Sequence, residues 1–148
     1  MPELRIDKGG WIVVCDGAKA LVLENAGARM RPSLRTREVF DQPDPKTSEL
    51  GTDKPGRSIS SVGSQRSAVE QTDWHDQAEE RFLKKLAAHL DKAVLAGETR
   101  SLIVVAPPRA LGVLRHTFTE HVRKAVEAEV EKNFVRMPVH EIERHLFQ

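Results

Sequence analysis

Leu102-Ile103-Val104-Val105-Ala106-Pro107-Pro108 is the stretch that decides the fold class of this 148-residue chain. Five apolar residues in a row, ended by two prolines, are typical of a strand that is buried on both faces of a parallel sheet. Before this strand, from Trp74 to Val94, apolar residues recur at helical spacing, which predicts a long amphipathic helix. A helix that leads into a buried strand predicts an α/β domain.

The N-terminal quarter of the chain has the pattern of a strand meander. Two short apolar runs, Trp11 to Cys15 and Ala20 to Leu23, flank Asp16-Gly17. These two residues tolerate the positive φ of a tight hairpin turn, so we expect two antiparallel strands. Ser33 to Phe40 alternates imperfectly, as expected for an edge strand.

Residues 41–72 interrupt every periodic pattern with three prolines, three glycines and six serines. We therefore expect a long mobile loop at about 41–72. Thr72 or Asp73 can cap the start of the long helix that follows, and Gly97 can take the left-handed stop position after its end.

The sequence pattern predicts the secondary structure of the C-terminal third less clearly. Ala110 to Ala125 favours one helix packed on the sheet, and Pro138 begins a closing helix. Residues 126–131 alternate valine or alanine with glutamate, as a strand does, but apolar residues spaced four apart also fit a helix. With a strand at this position, the element order is βββαβαβα in a single domain, 1–148, with a mixed sheet.

Composition excludes several classes of protein. The 23 basic and 22 acidic side chains nearly cancel, so no global field would draw the molecule to nucleic acid or an anionic membrane. One cysteine, Cys15, permits no internal disulfide and no Cys-rich zinc site, and it sits in an apolar strand where a thiol acts as a small hydrophobe. No secretory signal and no apolar run near 18 residues is present, which predicts a cytoplasmic protein that does not cross a membrane. One local basic patch, interpreted as a solvated strand edge rather than a phosphate site, consists of Arg29, Arg31, Arg35 and Arg37.

No motif establishes an enzyme, a cofactor or a metal site. His140 and His145 lie five residues apart, so on a helix their rings diverge by roughly 140° and cannot share a cation. His75 and Asp76 are adjacent and do not face each other on a helix. Asp16 follows the first strand, where a nuclease could carry a metal-binding carboxylate, but a turn-forming role explains it. We expect no cofactor.

Four segments together resemble the bacterial host attachment protein family, in family order across nearly the whole chain: Asp16-Gly17-Ala18-Lys19-Ala20, Gly56-Arg57-Ser58 with Gly63 to Val69, Asp73-Trp74-His75, and Ala106-Pro107-Pro108-Arg109-Ala110-Leu111-Gly112. The resemblance implies a five-stranded mixed sheet of the ribonuclease-H-like type with helices packed on it, and it favours a strand at residues 126–131. It also implies a distant similarity to the middle domain of archaeal and eukaryotic peptide release factors. That domain presents Gly-Gly-Gln just before a long helix, and Gly63-Ser64-Gln65 occupies the corresponding place here.

Two hypotheses of different classes follow. The first is an intracellular, non-enzymatic factor, linked indirectly to attachment to host cells, that contacts another protein, tRNA or the ribosome. The second is a peptidyl-tRNA ester hydrolase or ribosome rescue factor, with Gln65 and Asp16 as weak catalytic candidates. Arg109 is expected to bind backbone carbonyls at its strand-to-helix turn. The expected binding and loop residues are Arg57, Gly63, Ser64, Gln65, Arg66, His75 and Arg109.

Overall fold

The computed structural model describes the backbone of residues 4–42 and 60–148, and the side chains of residues 4–42 and 76–148. The described strands are β1 (Trp11–Cys15), β2 (Lys19–Asn25), β3 (Leu34–Asp41), β4 (Leu102–Ala106) and β5 (Val126–Glu131). The described helices are α1 (Ser60–Leu95), α2 (Pro108–Thr117), α3 (Glu120–Ala125) and α4 (Val139–Phe147). No helix in these ranges is both long enough and apolar enough to span a membrane.

The five strands form one mixed sheet in the order β3-β2-β1-β4-β5. β2 pairs antiparallel with both β1 and β3, whereas β4 pairs parallel with both β1 and β5. The predicted α/β class, the three-stranded meander and the mixed sheet are therefore confirmed, and residues 126–131 form a strand. β3 lies at one edge, as its imperfect alternation predicted.

Each face of the sheet carries its own hydrophobic core. Along β1, Trp11, Val13 and Cys15 point to one face, which is covered by α1, α2 and α3. Ile12 and Val14 point to the other face, which is covered by α4 and the segments near both chain ends. Because both faces are covered, β1 and β4 bury every side chain, and an unbroken apolar run such as β4 is the expected sequence for that position.

The predicted loop at about 41–72 is wrong at its C-terminal end, whereas its start agrees with the structure within one residue. Asp41 is the last residue of β3, and α1 begins at Ser60, so the start predicted at Thr72 or Asp73 is wrong by about three turns. The last proline before α1 is Pro55, and extending a helix that its amphipathic half has nucleated costs little per residue. Residues 43–59 lie outside the described part of the chain. At the other end of α1 the prediction holds, since Gly97 takes a φ of +76°.

The helix predicted from Ala110 to Ala125 is two helices. α2 ends at Thr117, and the side chain of Thr119 accepts a hydrogen bond from the backbone N–H of Val122 to begin α3. The Thr119 hydroxyl also donates to Oδ1 of Asp91 on α1, at 2.5 Å. A threonine that can cap a new helix competes with continued helix at that point, so the observed order is βββαβααβα.

Candidate functional site

A cleft of about 460 Å³ lies where the carboxyl ends of β1 and β4 meet the side of α1. Asp16 follows β1 and Pro107 follows β4, and these two strands are parallel neighbours. Ligands of open α/β sheets bind in this kind of crevice, beyond the carboxyl ends of the strands. We call it the strand-end cleft; its lining residues are Asp16, Gly17, Ala18, Asp76, Gln77, Glu79, Glu80, Leu83, Pro107, Arg109, Ala110 and Val113.

The Asp16 carboxylate holds the turn between β1 and β2. Its Oδ1 accepts hydrogen bonds from the backbone N–H groups of Ala18 and Lys19, both at 2.8 Å. The backbone N–H of Asp16 in turn donates to the carbonyl of Lys19 at 3.0 Å. The Asp16 side chain thus stabilises its own turn through hydrogen bonds with the backbone, as Asp commonly does.

Gly17 serves close packing rather than an unusual backbone conformation. Its φ is not positive, contrary to the prediction for this turn; the described glycines with positive φ are Gly9 and Gly97. A Cβ atom on Gly17 would lie 2.7 Å from both Cγ and Cδ of Glu79. The missing side chain therefore lets α1 approach the turn and places the Glu79 side chain against the cleft wall.

Arg109 connects α2 to α1 through one ion pair. Its Nη2 lies 2.8 Å from Oδ1 of Asp76, and both side chains are substantially exposed. The hydrogen bond and charge of Asp76 raise the pKa of Arg109, with smaller contributions from Glu79 and Glu80. The expected partner was a backbone carbonyl, and the structure instead shows a carboxylate, because α1 runs close enough to present one. An exposed pair of this kind stabilises a fold little.

Cys15, the last residue of β1, is buried and immediately precedes the turn. Burial raises the pKa of its thiol to about 12, and the charge of Asp16 adds to the shift. The thiol is therefore protonated at neutral pH and is not activated as a nucleophile. This agrees with the interpretation of Cys15 as a small hydrophobe in a strand.

The other predicted site residues do not gather in a loop. Gly63, Ser64, Gln65 and Arg66 lie inside α1, as does His75, whereas the hypothesis required Gly63-Ser64-Gln65 to precede the helix. A helical backbone at Ser64 needs no glycine-like conformation, which removes the geometric basis of the similarity to Gly-Gly-Gln. The side chains of these residues and all of Arg57 lie outside the described part of the structure.

Sequence reasoning missed Glu79 and Glu80 of the cleft wall, and it considered Asp76 only as a neighbour of His75. Positions three and four residues apart share one helical face, so their convergence with Leu83 was readable from spacing. What spacing could not supply was the identity of the surface that this face meets. In residues 4–42 and 76–148, no three His, Cys, Asp or Glu side chains are arranged to ligate a metal ion.

The basic patch is partly neutralised by nearby carboxylates. Arg29 pairs with Asp7 at 3.1 Å, and Arg37 pairs with Glu24 at 3.3 Å and Glu98 at 3.0 Å. The Arg37 guanidinium also lies over the Trp11 ring, 4.7 Å from its centroid. Half of the patch thus serves contacts within the fold.

Comparison with known proteins assigns the chain to a family. The model of the family described as "Protein required for attachment to host cells" matches residues 11–146. A stretch of 75 residues is 32% identical to the uncharacterized protein RP470 of Rickettsia prowazekii (strain Madrid E), and it covers 49% of this chain and 47% of that protein. The match thus spans about half the length of this relative. Since the family model matches nearly the entire chain, the protein belongs to the family of proteins required for attachment to host cells.

Proposed function

We propose that this protein contributes to attachment to host cells as a cytoplasmic, non-enzymatic binding factor that receives a partner in its strand-end cleft. The family description supplies the biological role. The observation that carries the binding role is that Asp16 and Arg109, which follow the two strand ends, are held by structural partners, and that Cys15 is buried and protonated.

Three groups at the cleft could in principle perform chemistry. Asp16 uses its Oδ1 on two backbone N–H groups, and Arg109 is paired with Asp76. Cys15 is buried, and its raised pKa keeps it protonated. A catalytic acid, base or nucleophile must be free to reach a substrate atom, whereas a binding surface requires only complementary shape and charge.

Ester hydrolysis by Gln65 with Asp16 has less support. The backbone around Gln65 is helical, and Asp16 lies in the turn after β1. Hydrolysis would need the Gln65 amide to be presented to a substrate by an extended loop, which a helix does not provide. No contact in the described residues favours this alternative.

The test uses a bacterial strain that lacks the protein, complemented with variants. Ala18 is exposed at the rim of the cleft, so Ala18→Trp should fill the cleft without disturbing a core. Ala88 is exposed on α1 and does not line the cleft, so Ala88→Trp is the matched control. We expect the deletion and Ala18→Trp to lower the number of bacteria bound to cultured host cells, with Ala88→Trp equal to wild type at equal protein levels.

Normal attachment in the deletion strain would refute the role itself. Normal attachment with Ala18→Trp alone would refute the cleft as its location. Fractionation of the complemented strain tests the cytoplasmic location, which requires the protein to remain with the soluble cell contents.

A further inference from the structure

The strand-end cleft carries an excess of negative charge. Its lining includes the carboxylates of Asp16, Asp76, Glu79 and Glu80 against the single guanidinium of Arg109. Asp16 is held by backbone N–H groups and Asp76 by Arg109. Within the described residues, neither Glu79 nor Glu80 forms an ion pair; both act on the charge of Arg109 from a greater distance, and Arg109 itself is paired with Asp76.

The lower part of the cleft is apolar. Leu83 of α1 and Ala110 of α2 are buried at its floor, and Val113 and Pro107 are half-buried beside them. Glu79 leans against Gly17 at one wall, as the 2.7 Å approach of its Cγ and Cδ to a Cβ position there requires. The cleft therefore offers an apolar surface below with carboxylates at its walls.

This arrangement discriminates among ligand classes. Phosphate groups of nucleic acid or lipid would meet a net negative field, which opposes their binding. A bare divalent cation would need three or more converging ligands, and the described residues hold no such group. A lysine or arginine side chain fits both features, because its methylene stem is apolar and its head is cationic.

We propose that the strand-end cleft binds a lysine or arginine side chain displayed by a protein partner, with the stem on Leu83 and Val113 and the cationic head at Glu79 and Glu80. This rests on the proposed function, since it names the chemistry of the partner that the cleft receives. Glu79 and Glu80, which form no ion pair among the described residues, distinguish the occupant from an uncharged peptide, and the sign of their charge distinguishes it from RNA.

The test is titration of the isotopically labelled full chain with three blocked pentapeptides, Gly-Gly-Xaa-Gly-Gly, in which Xaa is arginine, lysine or citrulline. Citrulline has nearly the shape of arginine without its charge. We expect the arginine and lysine peptides to shift the backbone amide signals of Gly17, Ala18 and Val113 at millimolar concentration. The citrulline peptide should shift them at least fivefold less at equal concentration. Added salt should weaken the binding of the charged peptides.

The matched variant is Glu79→Gln with Glu80→Gln, which keeps side-chain shape and removes both charges. We expect its affinity for the arginine peptide to fall at least fivefold, whereas Lys84→Gln, an exposed change on α1 outside the cleft, should bind equally or more tightly. Any of four results would overturn the proposal. Three concern the amide signals: equal shifts with the citrulline peptide, shifts located away from the cleft, or no shifts at all. The fourth is an unchanged affinity of the double variant for the arginine peptide.

The experiments distinguish a failure of the proposed binding of cationic side chains from a failure of the proposed function. If Ala18→Trp abolishes attachment but the cationic peptides do not bind, the cleft serves attachment with a partner of other chemistry. If the peptides bind and attachment is normal in Ala18→Trp, the cleft is a site for basic side chains that does not serve attachment.

Discussion

Replacing Asp16 tests whether its carboxylate is structural or reactive. Asp16→Ala removes the acceptor of two hydrogen bonds of 2.8 Å, one from the exposed N–H of Ala18 and one from the partly buried N–H of Lys19. Water can replace the acceptor at Ala18, but less easily at Lys19. Since loss of a comparable capping oxygen costs about 0.5–2 kcal/mol, we expect a loss of about 1–2 kcal/mol in the free energy of unfolding.

The matched variant is Asp16→Asn, whose amide oxygen can accept both hydrogen bonds without the charge. It should lie within about 0.5 kcal/mol of wild type. For a domain of this size, a loss of about 1–2 kcal/mol corresponds to a fall in Tm of roughly 3–6 °C. Urea unfolding followed by circular dichroism measures both variants.

Two results would contradict the structural role of Asp16. One is a loss with Asn as large as the loss with Ala, because the charge and not the acceptor would then be what matters. The other is a folded Asp16→Asn protein, stable as wild type, that no longer supports attachment. That result would place the carboxylate in a reactive or ligand-binding role.

Three further predictions concern packing and pH. Burial raises the pKa of the Cys15 thiol from 9.0 to about 12, so the folded protein favours the neutral thiol. The stability that this group contributes is complete below pH 9 and is lost as pH rises toward 12. Between these pH values, the urea midpoint should therefore fall more steeply with pH in wild type than in Cys15→Ala. Gly17→Ala should cost about 1 kcal/mol because its Cβ would press on Glu79, and Glu79→Ala should recover most of that cost in a double-mutant cycle of thermal unfolding. Leu90→Ala, at a fully buried α1 position, should cost about 2–5 kcal/mol by urea titration, and a loss below about 1 kcal/mol would place α1 elsewhere.

The sequence predicted the sheet better than the helices that cover it. β4 and β1 were readable because a strand covered on both faces needs apolar side chains at every position, and that requirement leaves an unbroken run. The edge strand β3 was readable for the opposite reason, since it has one open side and tolerates polar residues. Helix boundaries were predicted less well, because the start of α1 and the break at Thr119 depend on a balance of small local free energies.

The residues of the candidate site were likewise predicted only in part. Asp16 and Arg109 were found from their positions at strand ends, where the chemistry of open sheets is concentrated. Gln65 was proposed as a loop residue, and the prediction failed because Thr72 and Asp73, which can cap a helix, lie inside α1 instead of at its start.

By itself, the sequence determined that this protein is an α/β domain with a buried central strand, because periodicity and side-chain polarity are properties of neighbouring residues. Tertiary structure alone decided that Asp76, Glu79 and Glu80 of α1 meet the turn after β1 and the start of α2 to form an acidic cleft. The pairing of Arg109 with Asp76 and the need for glycine at position 17 follow from the same approach of α1 to the sheet. These contacts join residues far apart in the chain, and their distances depend on how helices pack on the sheet, which no local pattern records.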